Sequence, residues 1–213
     1  GGDGSQRHSI TGIDDVGSYI GFKGSEDVAG GLKAIWQVEN AIYDNGADHT
    51  TGSWAGRDTF IGLEGGFGKV RIGKMKSQFG SHMGSVDQWE YNAEAADTQV
   101  TAIGLARYTR TDVRLANAAR YDSPVWGGFS FNLTHGVDEY KRLNHDGSDY
   151  REGNLRTTVL GLNYENAGWF AQYGFGLYGD SYLKDSKLKD GQAHRLEVGY
   201  NANNLFVGLG WQY

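Results

Sequence analysis

The sequence predicts an all-β protein, an antiparallel up-and-down transmembrane β-barrel, and three observations predict it. Short segments alternate apolar and polar residues, short and long connections take turns along the chain, and aromatic residues collect where segments end. A transmembrane strand needs only about 9–11 residues with every second side chain apolar. A mean hydropathy of -0.55 is therefore compatible with a membrane barrel.

The composition narrows the classes of protein. The 213 residues include 34 Gly, 13 Tyr, 9 Phe and 6 Trp but one Pro and no Cys, which favours sheet over helix and excludes disulfides and thiolate metal sites. The net charge of -6 argues against nucleic acid as a partner. No basic segment followed by an apolar one opens the chain, so we expect any export signal to have been removed. We expect one domain over residues 1–213.

Ten strands are expected in chain order, after a polar, Gly-rich opening loop at residues 1–17. In the third strand we expect Phe60 to point outward and Arg57 to lie on the opposite face. The alternating segments are 18–25, 32–39, 57–63, 69–74, 115–121, 129–134, 160–164, 169–177, 195–200 and 205–213.

The connections between these segments alternate in length. In an up-and-down meander, successive connections lie at opposite ends of the sheet, and outer-membrane barrels have short turns at one end and long loops at the other. Short turns are expected at 27–31, 64–68, 123–127, 166–168 and 201–204, and long polar loops at 44–56, 76–114, 136–156 and 179–193.

The second face of each strand is rich in Gly, Asn, Thr and charged residues. Such a face is too polar for a packed interior, so we expect water to line it. The alternative is a soluble β-sandwich or lipocalin-like barrel, in which the apolar face would point inward and the charged face would meet bulk water.

The connection at 76–114 is the exceptional one. It is about forty residues long, it does not alternate, and it carries Asp87, Glu90, Glu94 and Asp97. Long irregular insertions in compact domains are usually functional. We therefore expect this loop to be the functional part of the chain.

Several stretches have a familiar sequence: residues 20–27, 31–39, 57–63, 66–73, 120–124, 163–164 and 170–173. In this order they resemble the trimeric general porins of Gram-negative bacteria, most closely the neisserial and related beta-proteobacterial branch. The resemblance implies a sixteen-stranded homotrimeric barrel in the outer membrane, whose third external loop folds inward. If the first strand of the family is missing here, residues 76–114 are that third loop. The chain would then be a fragment that covers about strands 2 to 11 of the sixteen.

The resemblance also implies a function and its residues. Porins allow passive diffusion of ions and small hydrophilic solutes, with basic side chains facing acidic ones at the constriction. Tyr19 stands where relatives often carry a basic residue, so we expect only a weak anion preference. The implied basic wall is Arg57, Arg71, Arg120, Lys23 and Lys69, and the implied acidic groups are Asp87 and Glu90 on the loop and Glu39 on the wall.

One alternative is a complete ten-stranded outer-membrane barrel, because the alternating end with Tyr213 imitates the aromatic C-terminus of such proteins. It would act as a surface adhesin, a structural protein or an enzyme with its site at the barrel rim. No local nucleophile–base pair is visible, and the six His residues are scattered, so we expect no enzyme, no cofactor and no metal site.

Overall fold

The computed structural model describes residues 19–41, 56–83, 114–143, 149–184 and 187–213. These residues form one ten-stranded sheet in which every strand pairs antiparallel with the next in the chain. The strands are β1 (Tyr19–Ala29), β2 (Leu32–Ala41), β3 (Thr59–Gly65), β4 (Gly68–Lys76), β5 (Arg114–Asp122), β6 (Phe129–Leu143), β7 (Asp149–Asn166), β8 (Trp169–Lys184), β9 (Lys187–Ala202) and β10 (Leu205–Gln212). The predicted fold class and the number of strands are confirmed. Within the described ranges the sheet is open, so this is not the closed ten-stranded barrel of the alternative.

All five short turns lie where the sequence predicts them. Four are tight two-residue turns with positive φ at both central residues, at Gly30–Gly31, Gly127–Gly128, Ala167–Gly168 and Asn203–Asn204. Turns of this hand match the right-handed twist of the flanking strands, and glycine and asparagine adopt them at little cost. Ala167, with φ of 51°, is the exception among these residue types.

One face of the sheet is apolar and exposed. Ile61 and Leu209 are 68% and 72% exposed. Ile61 pairs with Ile72 across the β3–β4 hairpin, and both lie on this face with the next pair, Leu63 and Val70. Exposed apolar side chains over a continuous sheet face fit contact with lipid rather than water.

The opposite face is polar and partly covered. Its buried polar members include Arg120, Asn132, Thr134, Arg195 and Glu197. Arg195 and Glu197 form an ion pair, with an N–O distance of 2.8 Å. This distribution is the reverse of a soluble β-sandwich, in which the apolar residues would be the buried ones.

A short helix, α1 (Gln78–Ser81), follows β4 and lies against the polar face. It occupies the start of the predicted 76–114 loop, whose residues 84–113 lie outside the described ranges. In the described part of the chain, no helix is long and apolar enough to cross a membrane.

Two predictions about the strands are wrong. The connections predicted at 136–156 and 179–193 are mostly strand, because β6 and β7 pair as far as Leu143 and Asp149, and β8 and β9 as far as Lys184 and Lys187. A hairpin that extends past the apolar zone is held by backbone hydrogen bonds and needs no apolar alternation. Of the loop predicted at 44–56, residues 44–55 lie outside the described ranges.

Phe60 was predicted to point outward, and it lies instead on the polar face. Its ring packs against a small buried cluster of Met75, Leu115 and Ala118. The outward residues of β3 are Ile61 and Leu63. The cross-strand pairing with β4 therefore decides which of two consecutive apolar residues faces out.

Replacing Ile61 by arginine tests the assignment of the apolar face. A charged side chain facing lipid near the middle of the bilayer costs about 2–4 kcal/mol of folding free energy. We expect Ile61→Arg to lower the free energy of unfolding from lipid vesicles by an amount in that range, measured by urea titration. Ser130→Arg is the matched control on the polar face, and an equal loss in both variants would contradict the assignment.

Candidate functional site

A cluster of two arginines and one aspartate lies on the polar face of β4 and β5. Arg71 and Arg120 are direct partners in the register of these strands. Asp122 lies between them, because its Oδ2 accepts from Arg71 Nη2 and its Oδ1 accepts from Arg120 Nη2, both at 2.7 Å. One carboxylate is thus shared by two guanidinium groups, so the cluster keeps a net charge of about +1.

The cluster borders a polar cavity of about 500 Å³. Lys69, the register partner of Asp122, also lines this cavity. The cationic lining residues are Lys69, Arg71, Lys76 and Arg120, and the acidic ones are Asp58, Glu64 and Asp122. Four positive charges therefore face three negative ones, and Asp58 is further neutralised by Arg114, whose Nε lies 2.6 Å from Asp58 Oδ1.

The remaining predicted residues lie apart from this cluster or outside the described ranges. Arg57 forms a separate ion pair with Glu39, with a distance of 2.7 Å between Nε and Oε1. Lys23 is exposed on β1 and does not line the cavity. Asp87 and Glu90 lie outside the described residues.

Gln78, in α1, joins the start of the loop to the opposite part of the sheet. Its Nε2 donates to Asn163 Oδ1 at 2.6 Å, and its Oε1 accepts from Asn132 Nδ2 at 2.5 Å. Gly161 lies directly beneath, and a Cβ atom there would overlap the Gln78 amide. The absence of a side chain at Gly161 therefore makes room for the helix.

Phe79 provides the apolar part of the same contact. It is fully buried in a cluster with Met83, Val159 and Ala193. A Cβ atom at Gly174 would lie 2.5 Å from the Phe79 ring. Burial of a phenylalanine side chain contributes about 1.5–3 kcal/mol, so Phe79 anchors α1 to β7, β8 and β9.

Arg120 connects this helix to the charged cluster. Its Nη1 donates to the backbone oxygen of Lys76 at 2.9 Å and to Ser81 Oγ at 2.7 Å. Its other donors are directed at Asp122. A buried guanidinium satisfied on several sides is held firmly, because each lost bond would leave a desolvated donor.

His82, after α1, stands beside Arg120. Its Nδ1 lies 2.8 Å from Ser81 Oγ and 3.4 Å from Arg120 Nη2. Partial burial of the ring lowers the pKa of His82 below its usual value, and the positive charge of Arg120 lowers it further, while Asp122 opposes the change. The folded contact therefore favours the neutral form of His82.

Four contributors to the site were not predicted from the sequence. Asp122 could have been found, because it ends a strand two residues after Arg120 and so shares its face. The others are Asp58, Gln78 and Phe79. Gln78 and Phe79 lie in a segment without periodicity, so no pattern marked them.

This sheet, with a lipid-compatible outer face and a charged, partly filled inner face, defines a membrane β-barrel protein with a water-accessible interior. The comparison with protein families identifies which one. The model of the Gram-negative porin family matches residues 1–213. The chain belongs to that family.

Curated relatives agree with this assignment. The major outer membrane protein P.IB of Neisseria sicca is 38% identical and covers 98% of this chain and 60% of its own length. The protein of the same name from Neisseria meningitidis serogroup A is 36% identical and covers 95% and 55%. The chain thus spans a little over half the length of these relatives.

Solved structures share the fold. The anion-selective porin from Comamonas acidovorans superimposes with a TM-score of 0.69 at 22% identity, over 94% of this chain and 59% of that one. OmpT of Vibrio cholerae, with its loop L8 deleted, gives a TM-score of 0.61 at 16% identity, over 92% and 60%. At these identities the similarity concerns the fold alone.

Replacing Gly161 by alanine should displace Gln78. The new methyl group overlaps the side-chain amide, so the hydrogen bonds to Asn132 and Asn163 are lost, at a cost of roughly 1–3 kcal/mol. We expect faster cleavage at residues 77–83 under limited proteolysis. Gly66→Ala is the control, because no atom lies within 4 Å of the added Cβ. Equal cleavage rates in both variants would show that the contact does not hold α1.

Acid should loosen the same segment through His82. Because the folded pKa is depressed, the unfolded segment binds more protons as the pH falls below about 6.5. The stability of the contact is therefore fully present above that pH and decreases below it. We expect hydrogen exchange in residues 77–83 to accelerate between pH 7 and pH 5, after correction for intrinsic rates. His82→Asn should flatten this dependence, and an unchanged dependence would exclude His82 as its source.

Proposed function

We propose that the protein is a porin of the bacterial outer membrane, a passive channel for ions and small hydrophilic solutes with a weak preference for anions. The observation that carries this proposal is the excess of positive charge along the cavity on the polar face. Local potential, rather than chemical bonding, selects ions in such a lumen. Membership of the porin family supports the channel function and outer-membrane location.

The narrow part of the channel, in this proposal, is formed by the loop 76–114. The contacts of Gln78 and Phe79 support it, because they fix the start of the loop against the wall opposite β4. Asp87 and Glu90 are proposed as the acidic side of the constriction and Arg57, Arg71, Arg120, Lys23 and Lys69 as the basic side. Glu39 offsets Arg57 on the wall.

The active assembly is proposed to be a homotrimer surrounded by outer-membrane lipid, by analogy with the family that the chain belongs to.

A channel of this kind moves solutes without chemical change. The described residues contain no group of three or more His, Cys, Asp or Glu that could hold a metal.

Conductance of the full-length protein in a planar bilayer tests the proposal. We expect discrete conductance steps and, in a tenfold KCl gradient, a reversal potential of the sign that chloride preference gives. An absence of steps would favour a surface structural barrel instead. A strong preference for potassium would overturn the proposed anion selectivity.

A charge removal then tests the cluster. Two unit charges 4 Å apart in water interact by about 1 kcal/mol, attractive for chloride and repulsive for potassium. Losing both effects in Arg71→Gln should therefore lower the chloride-to-potassium permeability ratio by no more than about thirtyfold. Lys33→Gln removes an equal charge from β2 at a residue that does not line the cavity. Equal shifts in the two variants would show that the cluster has no special part in selectivity.

A further inference from the structure

Two arginines of the polar face lie over aromatic rings. The Cζ atom of Arg71 is 4.9 Å from the centroid of the Phe60 ring, and that of Arg57 is 4.5 Å from the centroid of the Tyr19 ring. Both distances are within the range in which a guanidinium is attracted to the negative face of an aromatic ring. The alternation of apolar and polar residues does not by itself explain why an aromatic residue stands on the polar face at either position.

Each of these arginines also has a carboxylate partner. Arg71 Nη2 lies 2.7 Å from Asp122 Oδ2, and Arg57 Nε lies 2.7 Å from Glu39 Oε1. The same arrangement of ring, guanidinium and carboxylate therefore occurs twice. Nitrogen atoms of each guanidinium meet the carboxylate, while its central carbon lies over the ring.

The backbone next to Arg71 is shaped for this contact. Its register partner on β3 is Gly62, and a Cβ atom there would lie 3.0 Å from Arg71 Cγ. The side chain of Arg71, on β4, thus passes over Gly62 to reach Phe60, which lies two positions before Gly62 on β3. A Cβ atom at position 62 would also overlap the backbone oxygen of Val70, so a larger residue there would disturb both the strand pairing and the path of Arg71.

We propose that Phe60 and Tyr19 are positioning residues for anion selectivity, each fixing the guanidinium of one arginine at the wall of the lumen. This inference rests on the proposed channel function. A free arginine side chain has many rotamers, and a ring beneath it restricts them. The charge is then presented at a constant place, where ions passing the cavity experience it.

The two rings differ in how firmly they are held. Phe60 packs against Met75, Leu115 and Ala118, so its own position is fixed. Tyr19 is 56% exposed at the start of β1. Because cation–ring attraction is stronger when it is desolvated, Phe60 has the larger effect. Tyr19 adds no charge and instead holds Arg57.

The first test removes the ring and keeps the apolar volume. In the full-length protein, Phe60→Leu should lower the chloride-to-potassium permeability ratio about twofold, as expected for the loss of one cation–ring contact. Phe60→Tyr keeps the ring and should retain the wild-type ratio. Phe22→Leu is the matched control, because Phe22 is an exposed aromatic residue of β1 on the apolar face. A shift of equal size in Phe22→Leu would overturn the inference.

The second test asks whether Phe60 acts through Arg71. In the Arg71→Gln background, Phe60→Leu should cause no additional change in permeability ratio, because the group that the ring positions is gone. An undiminished twofold shift in that background would show that Phe60 acts by another route. The result does not depend on the sign of the wild-type selectivity, so a cation-preferring channel would refute the proposed preference and leave this test intact.

A third measurement does not use conduction at all. The NMR order parameter of the Arg71 Nε–H bond in ¹⁵N-labelled protein should fall in Phe60→Leu and stay unchanged in Phe22→Leu. An unchanged order parameter in Phe60→Leu would refute the positioning role even if the protein formed no channels.

Discussion

The structure depends on the pairing of each strand with its neighbour in the chain. In lipid a backbone N–H or C=O group has no water to bond to, so every strand must satisfy its groups through the next one. Pairing in register, at about 4.8 Å between strands, then forces alternate side chains to opposite faces. Lipid takes the apolar face, and all charged groups are concentrated on the other. Arg71 and Arg120 become neighbours for this reason, although 48 residues separate them in the sequence.

This constraint explains both the success and the failures of prediction from sequence. Alternation is local, so it predicts ten strands, five short turns and the face of Arg71 and Arg120. It fails at Phe60 and Ile61, two apolar neighbours of which only one can face lipid. It also fails at the outer ends of β6 to β9, where strands leave the apolar zone and polar residues resemble loops. In both cases the answer lies in the partner strand.

The contacts of α1 could not be predicted for a different reason. Gln78 bonds to residues 54 and 85 positions further along the chain. Its partners Asn132 and Asn163 are ordinary polar residues of their strands, and Gly161 resembles any other glycine of a Gly-rich chain. Only the curvature of the folded sheet brings them together. Asp122 could be predicted in part. Its spacing from Arg120 in the sequence places both residues on one face, but the sequence does not show that two arginines share its carboxylate.

The bonding of Arg120 has a consequence for how such a protein can evolve. The same guanidinium lines the cavity on the polar face and holds the helix after β4, through bonds to Lys76 and Ser81. A substitution there would change electrostatics and geometry in one event, so the two properties cannot drift independently at this position. Among the bonds described, those of Lys69 and Arg71 do not hold the helix. In the proposed channel, adaptation to new solutes therefore has a freer route through those neighbours than through Arg120.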